Sequence, residues 1–291
     1  MRSSSPEENR TNQPSCNQAD QRTDNPGHCS GSLTVVGLGP GDVSLLAPMA
    51  RDAMETSDLI VGYTGYIKLL PLDLTHGKEV MATGMRHELD RAKMAVEACT
   101  NGQNVVVVSS GDAGVYGMAG LILEYLDKTG LQNTVPCTII PGIPALCAAA
   151  ALLGAPLMHD FASISLSDLL TPWELILKRV EAAAGADFVI VLYNPKSKRR
   201  SDQLKTALDI IRKHRGDQVA VGSVRRAYRE GQEIRTAQLG NFDVENVDMT
   251  TIVIVGNAQT QIAGDRMITP RGYFNKYDLE TGERKREKSA Q

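Results

Sequence analysis

The sequence predicts an α/β protein of two lobes, with a mostly parallel first sheet and a mixed second sheet. Two observations predict this fold. Short apolar runs rich in β-branched residues alternate with amphipathic segments of helical period over most of the chain. The alternation breaks at residues 154–156 and changes after residue 233, where two apolar runs follow each other with no room for a helix. The length of 291 residues agrees, because a domain has about 150 residues on average.

The two ends of the chain are polar. Residues 1–31 contain no Ile, Leu, Val or Phe, so they have too little apolar surface to offset the entropy of folding. They also lack the apolar segment of a secretory signal peptide. We therefore predict a disordered N-terminal extension at 1–31, lobes at 32–156 and 157–277, and a frayed tail at 278–291.

Five β-branched runs predict the strands of the first lobe, at 33–37, 58–62, 79–82, 104–109 and 135–140. Helices are expected in the gaps. In residues 87–101, for example, Leu89, Ala92 and Val96 recur at helical spacing and share one face. Strands joined by such crossovers form a mostly parallel sheet that is covered on both faces.

The second lobe begins with the same alternation. Strands are predicted at 161–165, 187–193 and 218–224, with helices at 173–184 and 201–214 between them. The last two strands, at 233–239 and 250–256, have no helix between them. This spacing predicts antiparallel pairing in the second sheet.

The composition excludes several classes of protein. The chain is 42% hydrophobic and 22% charged with a net charge of −3, which is ordinary for a globular protein. An aromatic content of 4% and the negative charge disfavour a nucleic-acid partner. No stretch approaches the roughly 20 apolar residues of a membrane helix, so no membrane partner is expected.

The cysteines indicate a reducing compartment. There are five, an odd number, and none is spaced as Cys-x-x-Cys, which argues against a disulfide framework or a zinc site. Three lie in apolar segments, where a free cysteine usually behaves as a small hydrophobic residue. We therefore predict a cytoplasmic protein without a bound metal. The five are Cys16, Cys29, Cys99, Cys137 and Cys147.

A glycine-rich loop, Gly37-Leu38-Gly39-Pro40-Gly41-Asp42, follows the first strand. It does not match the dinucleotide fingerprint, because Asp42 stands where a third glycine is needed and Pro40 removes an N–H. Three glycines let another molecule approach the backbone closely. The alternative is a tight turn with Asp42 or Ser44 as the cap of a helix that starts near Ser44.

Two further glycine-rich loops follow the fourth and fifth strands, at residues 109–117 and 141–145. Open parallel sheets bind their ligands at the carboxyl ends of their strands. We therefore expect these loops and the loop at residues 37–42 to gather around one crevice.

Ordered motifs across residues 32–277 resemble the class III tetrapyrrole methyltransferases, which use S-adenosyl-L-methionine. The general motifs are Gly37-x-Gly39-Pro40-Gly41-Asp42, Gly111-Asp112 with Tyr116-Gly117, Pro141-Gly142-Ile143-x-Ala145, residues 163–168 and residues 254–257. Other motifs resemble the branch that methylates C-17 in cobalamin synthesis. These are Val61-Gly62-Tyr63, Thr83-Gly84-Met85-Arg86 with Glu88, Tyr193-Asn194-Pro195-x-Ser197, Arg225-Arg226-Ala227 and residues 269–273.

The resemblance implies methyl transfer to C-17 of precorrin-3B or of cobalt-factor III, with ring contraction, in cobalamin biosynthesis. It also implies an active-site trough between the two lobes, a homodimer, and S-adenosyl-L-homocysteine as the second product. Carried over by position, the cofactor contacts are Pro40, Gly111, Asp112, Val115, Pro144, Ala145, Asn194, Ala227, Thr250 and Thr251.

Ring contraction requires a general acid or base within hydrogen-bond reach of the substrate. The candidates are Tyr63, Glu88, Asp112 and Ser110, and for each the alternative is a cap or a structural hydrogen bond. Glu88, for example, could stabilise the start of its helix. The acid and base proposed for the related uroporphyrinogen methyltransferases do not carry over, because Tyr63 and Thr83 stand at those positions.

A tetrapyrrole substrate is fringed with carboxylates, which fixed cations would bind. Candidate cations at loops or helix starts are Arg86, Lys196, Lys198, Arg199, Arg200, Arg225, Arg226 and Arg229. Of these, Arg86, Lys196, Arg199 and Arg226 are the predicted substrate contacts, together with Gly39, Gly41 and Asp42 of the first loop. The alternative for residues 196–200 is a solvated basic turn.

Two other functions stay open at this stage. One is a methyltransferase of the same fold that acts on a different corrin carbon, on diphthamide or on ribosomal RNA. The other is a non-catalytic sensor of a tetrapyrrole or a nucleotide. The negative net charge disfavours the RNA enzyme, which would need a broad basic surface.

Overall fold

The structure, a computed structural model, describes residues 30–197 and 200–285. Two five-stranded sheets and one three-stranded sheet organise this part of the chain. None of the helices in the described ranges is long and apolar enough to cross a membrane. The predicted extension at 1–31 lies outside the described residues apart from Ser30 and Gly31.

The first sheet is entirely parallel, which confirms the predicted mostly parallel sheet. Its strands are β1 (Ser32–Gly37), β2 (Leu59–Tyr63), β3 (Glu79–Thr83), β4 (Asn104–Ser109) and β5 (Cys137–Ile140), in the order β3-β2-β4-β1-β5. The crossovers hold helices α1 (Pro48–Glu55), α2 (Thr64–Ile67), α3 (Leu72–Thr75), α4 (Glu88–Thr100) and α5 (Met118–Lys128).

Alternate residues of the parallel strands serve two cores, because successive side chains point to opposite faces of a sheet. On β1, Leu33 and Val35 pack in the core that α4 and α5 cover. Val36 of the same strand lies in the other core, with Ala50 and Met54 of α1. Helices therefore cover both faces of the sheet, and the ends of its strands are left uncovered.

The second sheet is mixed, as predicted, with the order β10-β9-β11-β8-β7. Its strands are β7 (Phe161–Ser165), β8 (Val189–Tyr193), β9 (Ala220–Arg225), β10 (Glu233–Gln238) and β11 (Thr251–Val255). Only β7 and β8 pair in parallel, while β11 pairs antiparallel with β8 and β9. Strand β10 pairs antiparallel with β9. The last two strands, β10 and β11, therefore lie on either side of β9 and do not pair with each other.

The second sheet is also covered on both faces. Helices α7 (Trp173–Gly185) and α8 (Gln203–Arg215) pack on one face. Helix α6 (Ala145–Leu153) packs on the other, where Leu146, Ala149 and Leu153 share a core with β8 and β9. Helix α6 precedes the predicted lobe boundary at residue 156 but packs on the second sheet, and the boundary itself stays a prediction.

A small third sheet was not expected from the sequence. It contains β6 (Gly154–Ala155), β12 (Gln261–Ala263) and β13 (Arg266–Ile268), in the order β12-β13-β6. The short helix α9 (Tyr273–Lys276) follows it. Strands of two or three residues are too short for an alternating pattern to predict them.

Candidate functional site

The three glycine-rich loops contact each other at the carboxyl ends of the first-sheet strands, as the sequence predicts. The N–H of Gly39 donates to the carbonyl of Gly111 at 3.0 Å, and the N–H of Gly111 donates back to Gly39 at 2.8 Å. Gly142 is equally close, because a Cβ there would lie 2.3 Å from the carbonyl oxygen of Gly111 and 2.6 Å from that of Gly37. The glycines let three backbones meet where side chains would not fit.

Asp112 holds two of these loops together. One carboxylate oxygen accepts the N–H of Gly114 at 2.8 Å, and the other accepts the N–H of Gly142 at 3.0 Å. Both oxygens therefore have backbone donors. This arrangement favours the structural alternative for Asp112 over a role as general acid or base.

The first loop ends in a short capped turn. Asp42 accepts the N–H of Ser44 at 2.9 Å and its hydroxyl at 2.7 Å, and these hydrogen bonds lower the pKa of Asp42. A single 3-10 turn (Val43–Leu45) follows, and α1 begins only at Pro48. The helix predicted near Ser44 thus starts later, at a proline that suits the first helical position.

Arg229, from the loop between β9 and β10, reaches the loops of the first sheet. Its Nε donates to the carbonyl of Pro40, and its Nη2 donates to Ser110 Oγ at 2.9 Å. Burial lowers the pKa of Arg229. Arg229 is one of the eight candidate cations in the sequence but not one of the predicted substrate contacts. A long-range contact of this kind leaves no local pattern.

A small pocket lies beside this contact. Its lining includes the predicted substrate residues Gly39, Gly41 and Asp42, the predicted catalytic residue Ser110, and Arg229. The fold therefore brings the first-loop candidates and Ser110 to one cavity, next to a cation of the second lobe.

Tyr63 lies at the end of β2, on the same edge of the first sheet. Its ring packs edge-to-face on Tyr66, with 5.1 Å between the ring centroids. Burial raises the pKa of Tyr66. Gly65 leaves room for the ring, since a Cβ there would lie 2.4 Å from Tyr63 Cε1. The phenol of Tyr63 is thus fixed by aromatic packing near the strand ends.

Glu88 belongs to a network that shapes the loop before α4. Its carboxylate accepts the N–H of Arg86 at 3.3 Å and pairs with Arg91 at 3.2 Å. Arg91 is buried and donates to Thr83 Oγ1 at 2.7 Å and to the carbonyl of Gly84 at 3.0 Å. Arg86 itself has a φ of 68° and an exposed side chain. These contacts favour a structural role for Glu88.

Several of the predicted cofactor contacts lie near the start of α6. Pro144 caps the helix, and a Cβ on Gly111 would lie 3.4 Å from the nitrogen of Ala145. Val115, Ala145 and Ala227 are half-buried against one apolar core. Bare backbone beside a small apolar surface suits a ligand with both polar and apolar parts.

A polar cluster continues from this apolar surface along the second sheet. Asn194, at a φ of 51°, donates its side-chain amide to Ser165 Oγ at 2.9 Å. The Tyr193 hydroxyl accepts the N–H of Leu146 at 2.9 Å, and burial raises the pKa of Tyr193 to about 12. Tyr116 packs on Tyr193 with 4.9 Å between ring centroids. The sequence motifs contain both tyrosines, but nothing in the pattern marked them as site residues.

The two threonines predicted near the cofactor lie beside Arg226. The N–H of Arg226 donates to the carbonyl of Thr250 at 3.0 Å. Asp248 accepts the hydroxyl of Thr250 at 2.7 Å and that of Thr251 at 3.0 Å. Thr250 is exposed and Thr251 is buried, so only Thr250 offers its side chain to a ligand.

The candidate substrate cations, of which Arg86, Lys196, Arg199 and Arg226 are the predicted contacts, differ in their availability. Lys196 pairs with Glu245 at 2.8 Å, and Arg225 pairs with Glu233. Arg86 and Arg226 are exposed. Arg199 lies outside the described residues. Within residues 30–197 and 200–285, no three His, Cys, Asp or Glu side chains are placed to hold a metal ion.

Comparison with known proteins gives consistent results. The profile of the Tetrapyrrole (Corrin/Porphyrin) Methylases matches residues 32–243. The chain is 48% identical over 241 residues to the "Probable cobalt-factor III C(17)-methyltransferase" of Salmonella typhimurium, covering 83% of this chain and 99% of that protein. It is also 48% identical over 251 residues to the "Cobalt-factor III methyltransferase" of Priestia megaterium, covering 86% of this chain and 46% of that protein.

The chain therefore spans about half the length of the Priestia relative and nearly all of the Salmonella relative. Among solved structures, the methyltransferase CobJ matches with a TM-score of 0.79 at 40% identity. This match covers 82% of the present chain and 100% of that one.

Proposed function

Because this chain belongs to the tetrapyrrole (corrin/porphyrin) methylase family, we propose that it methylates C-17 of a cobalamin precursor and contracts its macrocycle. The methyl donor is S-adenosyl-L-methionine. The observation that carries the proposal is the 48% identity to a relative named for this reaction, 99% of which is aligned. Both relatives named above carry the cobalt-containing precursor in their names, which favours cobalt-factor III over the metal-free precorrin-3B.

The residues at the start of α6 fit the methyl donor. Gly111 is buried at a φ of 67°, and its missing side chain leaves the nitrogen of Ala145 approachable. Val115 and Ala227 supply apolar surface, and Thr250 supplies an exposed hydroxyl. When bound, the donor supplies a methyl group already activated on a sulfonium, so the protein mainly has to position the two reactants.

The loops position the two reactants. Asp112 fixes the loops after β4 and β5 relative to each other through its two backbone hydrogen bonds. The backbone pair between Gly39 and Gly111 fixes the first loop to the second. The site is thus built from backbone held by short contacts, which suits a reaction that depends on in-line geometry.

Tyr63 and Ser110 are the two remaining candidates for proton transfer during ring contraction. The carboxylates of Asp112 and Glu88 already have structural partners. Ser110 Oγ accepts a hydrogen bond from Arg229, which leaves its own O–H to donate. Tyr63 is half-buried at the end of β2, with its ring packed on Tyr66. We assign the transfer to Tyr63, with Ser110 as the second candidate.

The test is incubation of the full chain with methyl-labelled S-adenosyl-L-methionine and either cobalt-factor III or precorrin-3B. We expect label in the cobalt compound and an absorption change that reports a contracted ring. No label in either tetrapyrrole contradicts the proposed function, and binding of the donor without transfer indicates a sensor. Label without contraction indicates methylation alone.

Matched variants assign the proton transfer in the same assay. Tyr63→Phe should keep donor binding and lose contraction by about a hundredfold or more. Tyr66→Phe is the control, since it changes the neighbouring ring in the same way. A Tyr63→Phe variant of normal rate would transfer the role to Ser110. The proposed homodimer and cytoplasmic location are tested separately, by light scattering and by cell fractionation.

A further inference from the structure

Arg229 uses only part of its guanidinium within the protein. Nε donates to Pro40 and Nη2 donates to Ser110, two loops of the first sheet. For Nη1, neither residues 30–197 nor residues 200–285 provide a hydrogen-bond partner, and this nitrogen is not among the fully buried atoms. The guanidinium is therefore held in one orientation by two bonds while its third nitrogen stays open.

The charge of Arg229 has no counter-charge in the described part of the chain. Arg225 and Arg235, on the two strands that flank the Arg229 loop, both pair with Glu233. Arg229 has no such ion pair among the described residues, and the neighbouring Arg226 carries a charge of the same sign. A half-buried cation without a counter-charge is costly, so a bound anion would stabilise it.

The neighbouring backbone leaves room for this guanidinium. Gly41 has a φ of 136°, and a Cβ at that position would lie 2.5 Å from Arg229 Nε. Arg229 lines the same pocket as Gly39, Gly41, Asp42 and Ser110. Asp42 lines this pocket too, but its carboxylate accepts hydrogen bonds from Ser44 and forms no ion pair with Arg229 among the described residues.

We propose that Arg229 binds a carboxylate of the tetrapyrrole substrate through Nη1, in this pocket beside the first loop. The inference rests on the proposed function, because it assumes a substrate that carries several carboxylates. A carboxylate there would supply the missing counter-charge and accept a charge-assisted hydrogen bond. Since the same guanidinium holds Pro40 and Ser110, substrate binding would also reinforce the contact between the two lobes.

The experiment measures binding and turnover separately. Uroporphyrin III, a fluorescent polycarboxylate tetrapyrrole, is titrated into the full-length wild type, Arg229→Gln and Arg229→Lys, and KM and kcat are measured with cobalt-factor III. We expect Arg229→Gln to weaken porphyrin binding and raise KM by about ten- to a hundredfold. Arg229→Lys should bind the porphyrin with intermediate affinity, because lysine keeps the positive charge but lacks the planar guanidinium.

Controls distinguish a ligand contact from a purely structural one. Arg235→Gln removes an exposed arginine of the adjoining strand β10 and should bind the porphyrin within about twofold of wild type. Affinity for S-adenosyl-L-homocysteine should stay near wild type in Arg229→Gln. Rising ionic strength should weaken porphyrin binding less in Arg229→Gln than in wild type, because one charge pair is gone.

Each outcome has a defined meaning. Normal porphyrin affinity in Arg229→Gln overturns the inference, and so does an equal loss of porphyrin and S-adenosyl-L-homocysteine binding, which indicates a structural role alone. If Arg229→Gln does not fold, Arg229→Lys decides by its affinity and salt dependence. Wild type that binds the porphyrin but does not methylate cobalt-factor III contradicts the proposed function and leaves the anion contact supported.

Discussion

The carboxylate of Asp112 accepts the backbone N–H of Gly142 at 3.0 Å and so joins two loops that lie thirty residues apart in the sequence. The first of these loops follows β4 and the second follows β5. This hydrogen bond and the close backbone packing at Gly142 hold the two loops together. Both features can be tested by substitution.

Asp112→Asn should destabilise the protein by about 1–3 kcal/mol. The amide would face the N–H of Gly114 or Gly142 with its own N–H group, so one hydrogen bond is lost. Urea denaturation measures the change in the free energy of unfolding. Asp52→Asn is the control, because Asp52 is exposed on α1 and has no side-chain partner in the described ranges. Equal stability of the two variants would show that the Asp112 contact does not hold the loops.

Gly142→Ala should destabilise the protein by more than about 2 kcal/mol. The added methyl group would lie 2.3 Å from the carbonyl oxygen of Gly111, and backbone cannot move aside as a flexible side chain can. Gly120→Ala should instead stabilise the protein by about 0.5–1 kcal/mol, because Gly120 lies in α5 with open space around it. Thermal unfolding of the pair checks both signs, and a stable Gly142→Ala variant would contradict the packing.

Sequence reasoning predicted the strands of both sheets and the meeting of the three loops, because both depend on local patterns. Strand β4 has the predicted bounds, Asn104–Ser109, since four valines stand between polar neighbours. The glycines of the loops likewise indicate where one backbone approaches another closely. The parallel topology then brings the loop ends to one edge.

The rest depends on contacts between distant parts of the chain. Helix α6 is apolar almost all round, so its sequence does not tell which sheet it covers, and it packs on the second. Arg229 lies 119 residues from Ser110 in the sequence, and a single arginine carries no pattern that predicts its partner. Glu88 was a candidate acid or base because only its position was known, and its pairing with Arg91 requires the folded loop.

Arg91→Met should cost about 1–3 kcal/mol of stability, whereas Glu88→Gln should cost no more than about 0.5 kcal/mol. Arg91 is buried, and its removal leaves the carbonyl of Gly84 and the hydroxyl of Thr83 without their donor. Glu88 is exposed, so its pair with Arg91 is screened by water. Urea denaturation gives both values. A Glu88→Gln variant of normal stability but hundredfold lower kcat would identify Glu88 as catalytic after all.

Tyr193→Phe should lower stability by about 1–3 kcal/mol at neutral pH, because the buried N–H of Leu146 loses its acceptor. The difference should shrink in alkali. Burial raises the pKa of Tyr193 to about 12, against about 10 in the unfolded chain, so the folded state holds the proton more tightly. Its contribution is therefore complete below pH 10 and is lost as the pH rises from about 10 to about 12.

Urea denaturation of wild type and Tyr193→Phe at pH 8 and at about pH 11 measures this loss, with all other titrating groups common to both proteins. Tyr125→Phe is a suitable control, since that tyrosine lies on α5, away from the second sheet. A difference between wild type and Tyr193→Phe that stays constant over this range would mean that Tyr193 titrates as it does in the unfolded chain. Its hydroxyl would then be solvated and could not be the acceptor that fixes the start of α6.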